Sequence, residues 1–154
     1  MKLSEILKED FIIADLNSHD KRGVLTELAK FLEEKGAIKS KDTLFDSLME
    51  RESLGSTGIG ENVAIPHAKS EEAEQIITLF GRSHKGIDFD SLDQKPVHFV
   101  CLLIAPSNST GLHLKALARI SRLFKNQSLR EEILKTGSTD EIYSLLVEED
   151  SKFA

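Results

Sequence analysis

The sequence predicts an α/β domain in which a mixed β-sheet is covered by helices. Three observations predict it. Residues 97–105 (VHFVCLLIA) are almost continuously apolar, the pattern of a central strand covered on both faces. Several other stretches place Leu, Val, Ile and Phe at helical spacing. Strand and helix signals are interspersed without a strict strand–helix–strand alternation, so strands of both directions are expected.

Taken in order, residues 11–14 (FIIA) contain two β-branched isoleucines and read as a short strand. Val24, Leu25, Leu28, Ala29 and Leu32 then recur at helical spacing, and Gly36 follows as a C′ residue. A second helix opens near Ser40 as N-cap, carries Leu44, Phe45, Leu48 and Met49 on one face, and runs to Arg51 and Glu52. Residues 54–62 (LGSTGIGEN) hold three glycines and read as an irregular loop with positive φ angles. Val63, Ala64 and Ile65 make a short strand that Pro66 stops. Residues 76–80 (IITLF) give another strand, and residues 91–96 a polar turn before the long apolar strand. The pattern of residues 112–124 is helical, with His113, Leu117, Ile120 and Phe124 on one stripe. Ser128 with Glu131, and Ser138 with Glu141, read as capping boxes that open two last helices.

The 154 residues can bury roughly two thirds of the unfolded surface, so residues 1–154 are expected to form a single domain. Twenty basic against 26 acidic side chains leave a net charge of −6, which argues against a nucleic-acid partner. The longest apolar run is about half the ~20 residues that cross a bilayer, and the first residues lack the apolar core of a secretory signal. A cytoplasmic location without membrane insertion is expected. Cys101, the one cysteine, excludes an intrachain disulfide and a multi-cysteine zinc site, and within its apolar strand it reads as an inert core thiol.

The glycine-rich stretch is not a nucleotide motif. Gly55 and Gly60 have Walker A spacing, but Glu61 and Asn62 stand where Lys and Ser or Thr belong, and Glu61 would repel phosphates. The order G-x-x-G-x-G, followed by a strand, does not fit a dinucleotide fingerprint either. The neighbours of the loop carry the chemistry. It leads through VAIP to His67, while Arg51 upstream supplies an always-charged planar group suited to phosphoryl oxygens. Ser53, Ser56 and Thr57 add hydroxyl donors, and the amides around Gly58 and Gly60 could form an anion-binding nest. Each residue alone has a plainer reading: Arg51 as a solvated helix end, Thr57 as a turn former, His113 as a core histidine. His19, His84 and His98 read as surface or strand histidines.

Residues 51–69 (RESLGSTGIGENVAIPHAK) resemble the signature of type 2 EIIA domains of the bacterial phosphoenolpyruvate:sugar phosphotransferase system, a family joining mannitol and fructose EIIA with nitrogen-related EIIA proteins. The resemblance continues through FDSLDQKPVHFVCLLIAP and HLKALARISRLF. It implies a roughly five-stranded mixed sheet with helices on both sides. It also implies that His67 is the phosphorylated histidine, Arg51 the arginine beside it, and His113 a second active-site histidine that is not phosphorylated.

A neutral imidazole attacks phosphorus without a separate base, and in-line transfer asks mainly for positioning and charge stabilisation. His113 lies in the first turn of its helix, where the dipole disfavours imidazolium, so a neutral ring could orient His67 or hold a phosphoryl oxygen. No metal and no cofactor are expected; there is no H-E-x-x-H spacing. The implied donor is phospho-HPr or its nitrogen-branch counterpart, and the implied targets are an EIIB domain or regulatory proteins. No EIIB or EIIC sequence is attached, which suits a free-standing regulator and equally a sugar component encoded as a separate chain. Lys69 in P-H-A-K leans toward the nitrogen-related branch, with a fructose- or mannitol-type transport component as the alternative. Ile59 and Phe89 are candidate exposed contacts for a docking protein.

Overall fold

A computed structural model describes residues 1–153. In chain order the elements are α1 (Leu3–Ile6), β1 (Ile12–Ile13), α2 (Lys21–Glu34), α3 (Lys41–Ser53), β2 (Gly58–Gly60), β3 (Val63–Ala64), β4 (His67–Ser70), β5 (Ile77–Ile87), β6 (Val97–Pro106), α4 (Thr110–Leu123), α5 (Gln127–Lys135) and α6 (Thr139–Asp150). One mixed sheet has the order β1-β5-β6-β3-β2, with β4 also paired to β6. It has six strands where about five were expected, because two of them are only two residues long.

The β6 strand is the axis. It runs antiparallel to β5 and parallel to β3 and β4, and all its residues except His98 are buried, so both of its faces are covered. One helical layer joins α2 to α3 and the other gathers α1, α4 and α5 around α6. Phe124, at the end of α4, stacks on Phe80 and Phe99 with ring centroids 5.6 and 6.3 Å away, fixing that helix against the sheet. Buried Asp150 accepts from the Leu3 amide at 2.8 Å and from Arg119 Nε at 2.6 Å, which ties the two ends of the chain together.

Local chemistry explains most element ends. Asp20 and Ser40 cap α2 and α3 by accepting from Gly23 N and Thr43 N. Gly36 takes φ +73°, the left-handed turn that ends α2. Four expectations change. The stretch 54–62 is not wholly irregular: Gly58–Gly60 forms β2, and Glu61 and Asn62, with φ of 57° and 65°, make the tight two-residue turn into β3. β5 extends well past residue 80, because the polar side chains Arg82 and Ser83 find partners in the interior. α5 opens on Asn126, whose side chain accepts from Leu129 N, so Ser128 lies inside the helix instead of capping it. Ser138 does cap α6, but Glu141 accepts from Thr136 Oγ1 rather than closing a reciprocal box. Among the described residues, no helix is long and apolar enough to cross a membrane.

Candidate functional site

Three residues far apart in the chain converge beside the end of β6. His67 opens β4 immediately after Pro66 and pairs in register with Leu103. Its Nδ1 lies 2.9 Å from the Ile65 carbonyl, and Arg51 Nε, in the last turn of α3, donates to its Nε2 at 3.2 Å. A carbonyl only accepts and a guanidinium only donates, so the two partners fix the tautomer. The proton sits on Nδ1 and the lone pair on Nε2. Arg51 Nη1 donates to the Gly55 carbonyl at 2.9 Å, which leaves Nη2 without a protein partner among the described residues. His113, in the first turn of α4, meets His67 edge to face, with centroids 5.2 Å apart at 76°.

Burial is the chief reason that both imidazoles are held below the ordinary value of 6.5. For His67 the Arg51 cation adds to this, opposed by the bond to Ile65 and by the Glu52 carboxylate. For His113 the added causes are His67 and Lys69. The place of His113 in the first turn of α4 acts in the same direction, since the positive end of the helix dipole disfavours imidazolium. That ring is only 6% exposed, and its Nδ1 is buried without a partner.

These side chains open into a cavity of about 490 Å³ whose walls include Leu54, Lys69 and Leu114. Leu54 and Leu114 are 81% and 61% exposed, so the open mouth carries apolar side chains beside the exposed charges of Glu50 and Lys69. Other sequence-selected residues do not reach it. Ser53 Oγ donates to the Glu50 carbonyl, and Ser56 Oγ donates to the Phe89 carbonyl while accepting from Gly58 N. Thr57 is buried and donates through N and Oγ1 to Glu52. Gly60 sits in the β2 edge beside Asp93. Of the donors expected to form a phosphoryl loop, Ser53 is bonded within α3, and Ser56 and Thr57 are committed to holding the hairpin.

Phe89 is wholly buried beneath Lys21 Nζ, 5.0 Å from its ring, which corrects its expected exposure; Ile59 is exposed. Cys101 is buried, and burial pushes its thiol up to about 12. His19 and His84 lie on the surface, whereas half-buried His98 bonds the Ser83 carbonyl. Among the described residues, no group of three or more His, Cys, Asp or Glu side chains could hold a metal ion. Sequence reasoning gave no role to Glu52 and Arg82, both buried. A signal existed for Glu52, which continues the Leu44 and Leu48 stripe at i+4 spacing, where a carboxylate must find a partner.

Residues 5–149 match the family model described as phosphoenolpyruvate-dependent sugar phosphotransferase system, EIIA 2. The chain belongs to this family. It is thus a component of a phosphotransfer system. A nitrogen regulatory protein of Bradyrhizobium diazoefficiens is 39% identical, with 95% of each chain covered. The fructose-specific EIIABC component of Bacillus subtilis is 35% identical over 97% of this chain, which spans only 24% of that protein. The crystal structure of nitrogen regulatory protein IIA-Ntr from Neisseria meningitidis superposes with a TM-score of 0.86 at 34% identity, covering 94% of this chain and 98% of the other. As an EIIA 2 chain, the protein carries Arg51, His67 and His113 in one cavity.

Proposed function

We propose that this EIIA 2 chain is a single-domain cytoplasmic phosphocarrier that takes phosphoryl from phospho-HPr, or its nitrogen-branch counterpart, onto Nε2 of His67. The observation that carries this reading is the pair of fixed partners on the imidazole: Ile65 O holds the proton on Nδ1, so the lone pair is on Nε2. In the transfer, that lone pair forms the P–N bond as the bond from phosphorus to the donor breaks, its electron pair leaving with the donor. Arg51 must give up its contact with Nε2 at that moment, and its guanidinium is then placed to neutralise phosphoryl oxygens. His113, neutral and edge-on to His67, supports the ring or donates to an oxygen. The open mouth, with exposed Leu54 and Leu114 beside charged Glu50 and Lys69, suits a protein donor, since two proteins must exchange the group at short range.

The regulatory, nitrogen-related role is the first reading, supported by 39% identity to the Bradyrhizobium protein over nearly all of both chains. Donation to a sugar-specific EIIB is the second, favoured by the 35% identity to the fructose-specific Bacillus component. Incubation with labelled phospho-HPr tests the acceptor: His67→Ala abolishes labelling, and undiminished labelling of that variant overturns the proposal. Onward transfer to a purified EIIB separates the two roles, since a regulator changes its affinity for target proteins without donating.

A further inference from the structure

One buried carboxylate ties the end of α3 to the hairpin that leads to His67. Glu52 is 6% exposed; its Oε1 accepts from Thr57 N at 3.0 Å and lies 3.0 Å from Lys21 Nζ, while its Oε2 accepts from Thr57 Oγ1. Thr57 passes the constraint on, because its carbonyl accepts from Ile65 N at 3.0 Å. Ile65 in turn offers its carbonyl to His67 Nδ1. An unbroken series therefore runs from Glu52 through Thr57 and Ile65 to the imidazole, and Arg51 is the residue next to Glu52. Lys21, itself over the Phe89 ring, anchors the far side of the carboxylate.

A buried ion pair adds little net stability over an apolar replacement, but a carboxylate that accepts from both the amide and the hydroxyl of Thr57 restrains where that residue sits. Ile65 and Thr57 need to be in register for the Nδ1–H tautomer of His67 to have its acceptor. From this series we infer that Glu52 is a positioning residue for phosphoryl transfer, holding the Thr57–Ile65 register that keeps the His67 lone pair on Nε2. The inference rests on the reading of His67 as acceptor. The charge of Glu52 also opposes the burial that pulls His67 down, so its loss moves that titration further toward acid.

The test compares the full chain with Glu52→Gln, Thr57→Val and Thr57→Ser by imidazole-nitrogen NMR and by the rate of uptake from phospho-HPr. Thr57→Ser keeps the hydroxyl and is expected to match the parent. Glu52→Gln and Thr57→Val are expected to shift His67 toward a mixture of tautomers and to slow uptake about 10-fold, the scale at which the loss of a group orienting a ligating histidine is felt. Both should lower the His67 titration midpoint, because the Ile65 bond raises it, and Glu52→Gln also removes a carboxylate charge that raises it. If Glu52→Gln does not fold, the Thr57 pair decides. Parent-like nitrogen shifts in folded variants overturn the proposal, as does parent-like uptake where the shifts have moved. The tautomer readout needs no donor, so a failure of the acceptor reading shows separately, as labelling that persists in His67→Ala.

Discussion

Arg51 and Arg82 carry the same side chain to opposite ends. Arg82 is 1% exposed, and its donors go to the carbonyls of Ala14 at 2.9 Å, of Ile133 at 2.7 Å and of Thr136, fastening β1 and the C-terminal end of α5 to β5. A cation at the carbonyl end of a helix meets the negative end of its dipole, so Arg82 is stable in the interior with Asp15 only 3.8 Å away at the surface. Arg51 is half-buried, touches one imidazole and one carbonyl, and keeps donors free toward the cavity. A buried guanidinium whose hydrogen bonds go to backbone carbonyls of the interior is scaffold; a half-buried one that retains donors beside an imidazole lone pair is available for a ligand.

The comparison can be broken by exchanging losses. Arg82→Met is expected to cost about 3 kcal/mol or more, since it leaves several interior carbonyls without donors. Urea unfolding measures it, and the fraction that remains folded should still accept phosphoryl at the parent rate. Arg51→Ala should do the reverse, slowing transfer about 100-fold, the scale of losing one preorganised donor, with little change in the unfolding midpoint. Arg51→Lys should recover only part of that, because the planar fork is lost. A smaller effect, about 10-fold, is expected for His113→Ala in single-turnover labelling, the scale of losing a group that orients a histidine and is not itself the acceptor.

The smallest effect is in pH dependence. Because the folded His67 titrates below 6.5, uptake should hold through that pH and fall only on further acidification; Arg51→Ala, by removing a cation that lowers the value, should move the fall toward neutrality. Stability follows the same sign. Both imidazoles are depressed in the folded chain, so the unfolded chain takes up more protons as pH drops below 6.5, and the stability present above that value is lost as pH falls through the folded ones. A rate that falls at the ordinary imidazole value would show that burial does not govern the acceptor.

Much of this was legible beforehand. The grouping of Arg51, His67 and His113, with His67 as the proposed acceptor, follows from the resemblance carried by RESLGSTGIGENVAIPHAK and HLKALARISRLF, and the long strand, Ser40 and Gly36 follow from local pattern. The glycine-rich stretch was not legible in the same way. Its hydroxyls look free in a sequence, yet Thr57 is buried on Glu52 and Ser56 is bonded across to Phe89, 33 positions away. Phe89 was misplaced for the same reason, since nothing in FDSLDQ reveals that Lys21 lies over it.

What the chain settles locally is periodicity, capping and turn chemistry, because those depend on residues within about four positions of each other. Hence the amphipathic helices, the buried axis strand and the reactive residue types could be read in order. Which polar groups are consumed by the scaffold and which stay open is decided by partners that only folding brings near. Arg51 meets His67 across 16 positions, and Arg82 meets Ala14 across 68. Burial then sets whether each charge is satisfied, displaced in its titration or left to bind, and burial is a property of the packed molecule rather than of any segment.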